Sequence, residues 1–184
     1  MEDERMIRLS KRMSKALRHQ PERLGLTLDA QGWVATADLL AALKVSREEL
    51  EEVVRRNDKQ RFTIDGDRIR ANQGHSVEVD LALAPATPPD ELFHGTVEQY
   101  LDDIMRDGLR PMARHDVHLS PDRETARRVG ARRGRPLVLV VDAKGMHADG
   151  HEFRVSANGV WLTQHVPAAY LDRTDKRNNP RTGR

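Results

Sequence analysis

Apolar positions recur at helical spacing from the start of the chain. Met6, Leu9, Met13 and the pair Ala16-Leu17 fall on one face, which predicts an amphipathic helix ending before Pro21. Thr36 precedes a second apolar run, residues 37–43, and is placed to cap that helix. Ser46-Arg47-Glu48-Glu49 reads as a capping box opening a third helix, with Leu50, Val53 and Val54 on one side. Residues 61–64 and 68–71 then flank Asp65-Gly66, a hairpin signal. Between the first two helices, residues 24–28 and Trp33-Val34 bracket a turn containing Gly32. Three helices followed by a β-wing predict a winged-helix module.

The second half alternates on a shorter period. Leu92-Phe93-His94 predicts a short strand, and Thr96-Val97-Glu98-Gln99 a second capping box, with Gly108 ending the helix it opens. Val117-His118-Leu119-Ser120 predicts a strand, after which Ser120-Pro121 opens a helix that Gly134 closes. Residues 137–141 read as a buried strand, and residues 153–156 and 160–163 flank Asn158-Gly159 as a hairpin. Short strands, two helices and a hairpin predict a mixed α+β domain.

A composition shift separates the halves. Residues 79–91 contain Pro85, Pro88 and Pro89 and little charge, which predicts a semi-rigid spacer. The expected organisation is a lobe over 1–78, a linker over 79–91, a second lobe over 92–171 and an unstructured basic tail over 172–184. A length of 184 residues accommodates two such lobes. There is no cysteine, which excludes disulfide frameworks, cysteine-based zinc sites and thiolate nucleophiles. No apolar run reaches membrane-helix length, and the N-terminus lacks an apolar signal core, so a soluble, cytoplasmic protein is expected. The formal net charge is only +2, with 15 Lys/Arg against 13 Asp/Glu in residues 1–77 and 5 against 2 in residues 172–184. Any nucleic-acid partner must therefore be held by a local field.

Four constellations carry candidate chemistry. Arg18-His19 ends a basic helix (Arg8, Lys11, Arg12, Lys15). The pair is either an ordinary cationic helix terminus or a phosphate clamp with a proton-moving imidazole beside it. Residues 68–76, RIRANQGHS, place Arg68 and Arg70 on one strand face, followed by Asn72, Gln73, His75 and Ser76. This is either a polar exit loop or a set of donors for phosphate or sugar. His94-Gly95-Thr96 and His118-Leu119-Ser120 both read as strand-to-helix turns bearing a histidine, and a helix after Thr96 would offer free N–H groups to an anion. Residues 127–135, RRVGARRGR, carry five arginines, either as a solvated face or as a polyanion site. His115 and His118 lack partners at a recognised metal spacing, so no metal site is expected. Dinucleotide fingerprints of the GxGxxG type, phosphate-binding loops and nucleophile elbows are absent.

Together these stretches resemble one known family, the tRNA 2′-phosphotransferases of the Tpt1/KptA type. The resemblance rests on LSKRMSKALRHQPERLGLTLDAQGWV, NDKQRFTIDGDRIRANQGHS, LFHGT, DVHLSPDRETARRVGARRG and NGVWLT, in the family's order, from about Leu9 to Leu171. It implies a winged-helix N-terminal lobe and a C-terminal lobe of the ADP-ribosyltransferase fold. It also implies a metal-free, two-step reaction with NAD as co-substrate. The RNA 2′-phosphate is ADP-ribosylated with loss of nicotinamide. Transesterification by the ribose 2″-OH then releases 2′-OH RNA and ADP-ribose 1″,2″-cyclic phosphate.

By motif, the family's catalytic tetrad falls on Arg18, His19, Arg70 and Arg132. Arg132 rather than Arg133 follows the family's G-x-R spacing. The NAD pocket implied is His94, Gly95, Thr96, His118, Leu119 and Ser120, and Asn72, Gln73 and His75 are expected to bind substrate. Where other ADP-ribosyltransferases place a late Glu, this chain reads Asn158-Gly159-Val160-Trp161. That departure suits a substrate phosphate that is itself the nucleophile. Asp116 stands where the family often has His, leaving His118-Leu119-Ser120 intact. The partners implied are a tRNA-like RNA carrying a 2′-phosphate and NAD, with a monomeric protein. Two competing readings are ADP-ribosylation of a terminal nucleic-acid phosphate and a winged-helix DNA-binding regulator. Against the latter, the third helix carries Glu48, Glu49, Glu51 and Glu52, which repel a DNA backbone.

Overall fold

A computed structural model describes residues 3–173. They are α+β and divide into two compact units. The first comprises residues 3–83 together with two short segments, 113–115 and 156–158. The second comprises 84–112, 116–155 and 159–173.

In the first unit, α1 (Asp3–Arg18), α2 (Thr36–Leu43) and α3 (Arg47–Arg56) pack over a small antiparallel sheet. That sheet is ordered β1 (Val34–Ala35), β3 (Arg68–Ala71), β2 (Phe62–Asp65). Leu9, Met13 and Leu17 from α1 meet Leu39, Leu43, Leu50, Val53, Phe62 and Ile69 in one buried cluster. Burial of each such side chain stabilises the unit by about 1.5–3 kcal/mol. The α3 capping box is complete: Ser46 Oγ accepts from Glu49 N, and Glu49 accepts from Ser46 N. The α2 start differs from expectation. Ala35 is the N-cap residue and Thr36 the first helical residue, no side chain caps the helix, and the Thr36 N–H donates to the Asp67 carbonyl at 2.7 Å. Gly66 supplies the left-handed turn of the β2–β3 hairpin at φ 61°.

The second unit has two three-stranded sheets. One is ordered β4 (Glu91–Val97), β6 (Pro136–Asp142), β9 (Leu171–Arg173), and the other β5 (Val117–Leu119), β8 (Trp161–Thr163), β7 (Arg154–Val155). A bridge between Phe93 and Ser120 links β4 to the residue after β5. Leu92, Leu119, Val141, Met146, Phe153 and Val166 share the principal core.

Several expectations fail here for identifiable reasons. Strand β4 does not stop at His94. All seven of its residues pair with β6, so Gly95 and Thr96 are strand, and no capping box forms at Thr96. The helical segment begins with a 3₁₀ turn at Glu98–Tyr100 and continues as α4 (Leu101–Asp107), which Gly108 ends as expected at φ 79°. Pro121 does not open the next helix. Asp122 caps α5 (Arg123–Gly130) by accepting from Thr125 N at 2.7 Å, and a 3₁₀ turn, Ala131–Arg133, intervenes before Gly134. The β7 and β8 strands are shorter than expected, leaving a five-residue connection, residues 156–160, around Asn158-Gly159. A third helix, α6 (Ala143–Ala148), was not expected. Asp172 and Arg173 belong to β9 and not to an unstructured tail, while residues 174–184 lie outside the described residues. Among the described residues, no helix is long and apolar enough to cross a membrane.

Candidate functional site

In the first unit, the end of α1 meets the chain that leaves β3. The N–H groups of Ser76 and Val77 both donate to the Arg18 carbonyl, at 2.8 and 3.3 Å, so residues 74–77 fold across the helix terminus. Gly74 makes this passage at φ 86°, with its α-carbon close against the Arg18 guanidinium: a Cβ there would lie 3.7 Å from Arg18 Cζ. Arg18 also stands over the Phe62 ring at 5.9 Å. Its Nε and Nη2 are buried without a hydrogen-bond partner. Burial, then Arg61 and Arg114, lowers its pKa to about 10.

His19 lies beside this guanidinium. Its Nδ1 is 2.9 Å from Ser76 Oγ, and Ser76 Oγ is 3.4 Å from the Arg18 carbonyl. A carbonyl only accepts, so the hydroxyl proton goes to Arg18 O and the Ser76 oxygen accepts from His19 Nδ1–H. Nε2 is then the ring atom able to take or return a proton. Burial first, then Arg18 and Arg114, pushes the His19 pKa down.

Arg70 is built in from the other side. Asp29 Oδ1 accepts from both Gln31 N and Trp33 N at 2.9 Å, forming a tight turn. That turn sets the Trp33 ring beneath Arg70 at 4.6 Å and beneath Arg68 at 4.5 Å, and offers the Gln31 carbonyl to Arg70 Nη1 at 3.4 Å. The two arginines do share a face, with Ile69 fully buried on the other. Arg70 Nε has no partner, and burial, against the opposing pull of Asp29, lowers its pKa.

His75 is only 3% exposed, and its Nε2 lacks a partner. It packs on Gly32, where a Cβ would come within 3.2 Å of that nitrogen. Burial, then Arg18, His115, His19 and Arg70, holds its pKa down to about 4, so it is neutral at pH 7. Gln73 Oε1 and Gln20 Oε1 are also buried and unpartnered. Six of the eight such atoms among the described residues therefore lie in residues 18–20 and 70–75. Each costs about 1–3 kcal/mol if nothing meets it, so their concentration in two segments marks a place built for a ligand. Three of the six are guanidinium nitrogens, on Arg18 and Arg70, and these charged donors select an anion.

Asn72 is different. Its amide donates to the Gln60 carbonyl at 2.6 Å and accepts from Thr63 Oγ1, and its backbone N–H reaches Arg61 O at 2.9 Å. It holds the turn before β2 in place.

Sequence reasoning missed Arg61, Arg114 and the role of Ser76. It also considered His115 only as a metal ligand. Residues 113–115 belong to the first unit, where His115 Nε2 donates to the Val77 carbonyl at 2.7 Å and Arg114 acts on both Arg18 and His19. No periodic pattern marks such a segment. Among the described residues, no group of three or more His, Asp or Glu is gathered to hold a metal ion.

In the second unit, His94 Nδ1 donates to the His118 carbonyl at 3.2 Å. Ser120 exchanges backbone hydrogen bonds with Phe93 at 2.9 and 2.8 Å, so His94, His118 and Ser120 are neighbours on adjoining strands, all half-buried. Arg123 stands over the Phe93 ring at 4.9 Å. Gly95 does permit a close backbone approach, but to α5: a Cβ would fall 1.7 Å from the Ala126 carbonyl oxygen. Gly130 plays the reciprocal part: a Cβ there would fall 2.8 Å from Thr96 O. The side chains of Thr96 and Leu119 are buried. Gly95, Thr96 and Leu119 thus pack the strands and α5 that carry the histidines. Arg132 is exposed on the 3₁₀ turn after α5.

Known proteins similar in sequence to this chain are numerous. Residues 4–165 match the family model described as RNA 2′-phosphotransferase, Tpt1 / KptA family. A probable RNA 2′-phosphotransferase of Streptomyces coelicolor is 63% identical over 176 residues, covering 93% of this chain and 97% of that protein. Proteins of the same description from Burkholderia pseudomallei and Nostoc punctiforme are 53% and 51% identical, covering 89% and 94% of this chain and 93% and 99% of their own lengths. Matches of this extent take in both the Arg18-His19 and Arg70-His75 segments and the paired histidine strands, and on them the chain belongs to the Tpt1/KptA family of RNA 2′-phosphotransferases.

Proposed function

We propose that this chain is an NAD-dependent RNA 2′-phosphotransferase, with a winged-helix first lobe and an ADP-ribosyltransferase-like second lobe. It acts on a tRNA-like RNA carrying an internal 2′-phosphate. That phosphate is ADP-ribosylated with release of nicotinamide. The product resolves by transesterification into 2′-OH RNA and ADP-ribose 1″,2″-cyclic phosphate. NAD supplies the electrophilic ribose carbon and the leaving nicotinamide.

The observation that carries the reading is the pair of guanidinium groups, on Arg18 and Arg70, whose buried nitrogens have no hydrogen-bond partner. A dianionic phosphate meets the desolvated guanidinium groups, and Arg18 and Arg70 remain charged despite their lowered pKa values. Held rigidly by Phe62 and Trp33, they stabilise the charge that grows on phosphorus-bound oxygens during transesterification. Arg132 is the fourth tetrad member by family spacing. His19, fixed through Nδ1 to Ser76, delivers a proton from Nε2 to the departing RNA 2′-oxygen, and its lowered pKa makes the imidazolium a stronger acid. Neutral His75 and Gln73 contribute a nitrogen and a carbonyl oxygen that suit hydroxyl groups on substrate. His94, His118 and Ser120 form a donor set suited to NAD, carried on strands that Gly95 and Gly130 lock to α5.

The test is incubation of a 2′-phosphorylated oligonucleotide with and without NAD. The expected result is loss of the 2′-phosphate only with NAD, accompanied by free nicotinamide. Phosphate loss without NAD, or none at any NAD concentration, overturns the reading.

A further inference from the structure

The five-arginine stretch noted in the sequence is not absorbed by the tetrad, which takes only Arg132. Residues 123–135, spanning α5 and the 3₁₀ turn, hold six arginines and one acid, Glu124. The other described residues of the second unit hold five Lys/Arg against twelve Asp/Glu. Six of the unit's eleven described Lys/Arg therefore fall in one 13-residue stretch, while its remainder is acidic. Arg127, Arg128, Arg133 and Arg135 are all exposed. None is in a salt bridge among the described residues, although Arg106, Arg154 and Arg173 of the same unit each are. Arg128 reaches only the Thr125 hydroxyl, at 3.3 Å. Glu124 is the sole carboxylate of the stretch. Like charges this close oppose folding unless something else offsets them.

The platform beneath is rigid. Ala126 and Gly130 are buried against β4 so closely that Gly95 admits no Cβ. Arginine, with its planar fork, is suited to phosphate oxygens on a repeating backbone. We infer that the α5–3₁₀ arginine face docks the phosphodiester backbone of the RNA substrate on nucleotides flanking the 2′-phosphate. The inference rests on the proposed activity only in taking RNA as the partner.

The experiment measures binding and turnover separately on the full chain. Binding uses a fluorescent single-stranded RNA without a 2′-phosphate and without NAD, titrated across a salt series. The variant R127Q/R128Q/R135Q is expected to weaken binding by about tenfold and to lower the salt slope by about 2, at roughly 0.7 per phosphate contact. The charge-keeping variant R127K/R128K/R135K is expected to retain most of that slope. In turnover, the glutamine variant raises KM for a long 2′-phosphorylated RNA and leaves a 2′-phosphorylated dinucleotide unchanged. Unaltered RNA affinity and slope, or an equal loss on both substrates, overturns the inference. Wild-type inactivity on the dinucleotide with NAD counts against the proposed reaction alone, since the binding measurement does not depend on it.

Discussion

The Nδ1 atom of His19 lies 2.9 Å from the Oγ of Ser76, and through that hydroxyl the imidazole is tied to the backbone carbonyl of Arg18. One serine thus fixes the tautomer of the proposed proton donor and its position beside the guanidinium. Ser76→Ala is expected to lower kcat about tenfold, within the range for disturbed acid–base groups, with little change in KM. Ser76→Thr, which keeps the hydroxyl, is expected to restore much of it. A change in KM alone would assign Ser76 to binding.

Arg114 depresses the His19 pKa through space. Removing that cation as Arg114→Gln lets the pKa rise. If the protonated imidazole is the working form, activity on the alkaline side persists to higher pH in the variant. The measurement is the pH profile of kcat for both proteins; an unmoved alkaline limb would separate Arg114 from His19 function.

His75 is neutral and buried, with a pKa held down to about 4 against an ordinary value of 6.5. The unfolded chain therefore takes up a proton that the folded chain refuses. Its contribution is fully present above pH 6.5 and is lost as pH falls toward 4. Urea denaturation across that window is expected to show stability falling with acidity, less steeply in His75→Gln. Parallel curves for the two proteins would place the loss elsewhere.

Gly95→Ala puts a methyl where the Ala126 carbonyl oxygen stands, 1.7 Å away. Overpacking ordinarily costs about 1–3 kcal/mol, and a backbone collision of this kind should exceed it. A large fall in Tm is expected, whereas a residue needed only to admit a ligand would leave Tm unchanged.

Asn72→Ala leaves the Gln60 carbonyl and the Thr63 hydroxyl without their amide partner. A loss of about 1–3 kcal/mol in unfolding free energy is expected, because buried polar groups become unsatisfied. Unchanged stability with impaired substrate binding would instead make Asn72 a contact residue.

The first unit was readable because its elements announce themselves locally. Leu9, Met13 and Leu17 follow the helical period, Ser46 and Glu49 form their box, and Gly66 turns its hairpin. At Thr96 the local signal misled. Thr-x-x-Gln resembles a capping box, yet seven residues of pairing with β6 keep the chain extended. The six-residue α6 carries Gly145 at its centre and too few turns to show periodicity; it forms because Asp142 caps it. Within the site, Arg18, His19 and Arg70 could be singled out by residue type and motif. The contributions of Ser76, Arg114 and His115 depend on contacts or fields between residues 38 to 96 positions apart, which no window of sequence contains.

The central claim is tested most directly by following the phosphorus. An oligonucleotide bearing one isotopically labelled internal 2′-phosphate is incubated with the protein and NAD, and the label is traced. The account predicts that all of it appears in ADP-ribose 1″,2″-cyclic phosphate, one nicotinamide released per phosphate lost. In the Arg18→Ala or His19→Ala variants, label is expected to accumulate on ADP-ribosylated RNA. Label recovered as inorganic phosphate would contradict the account.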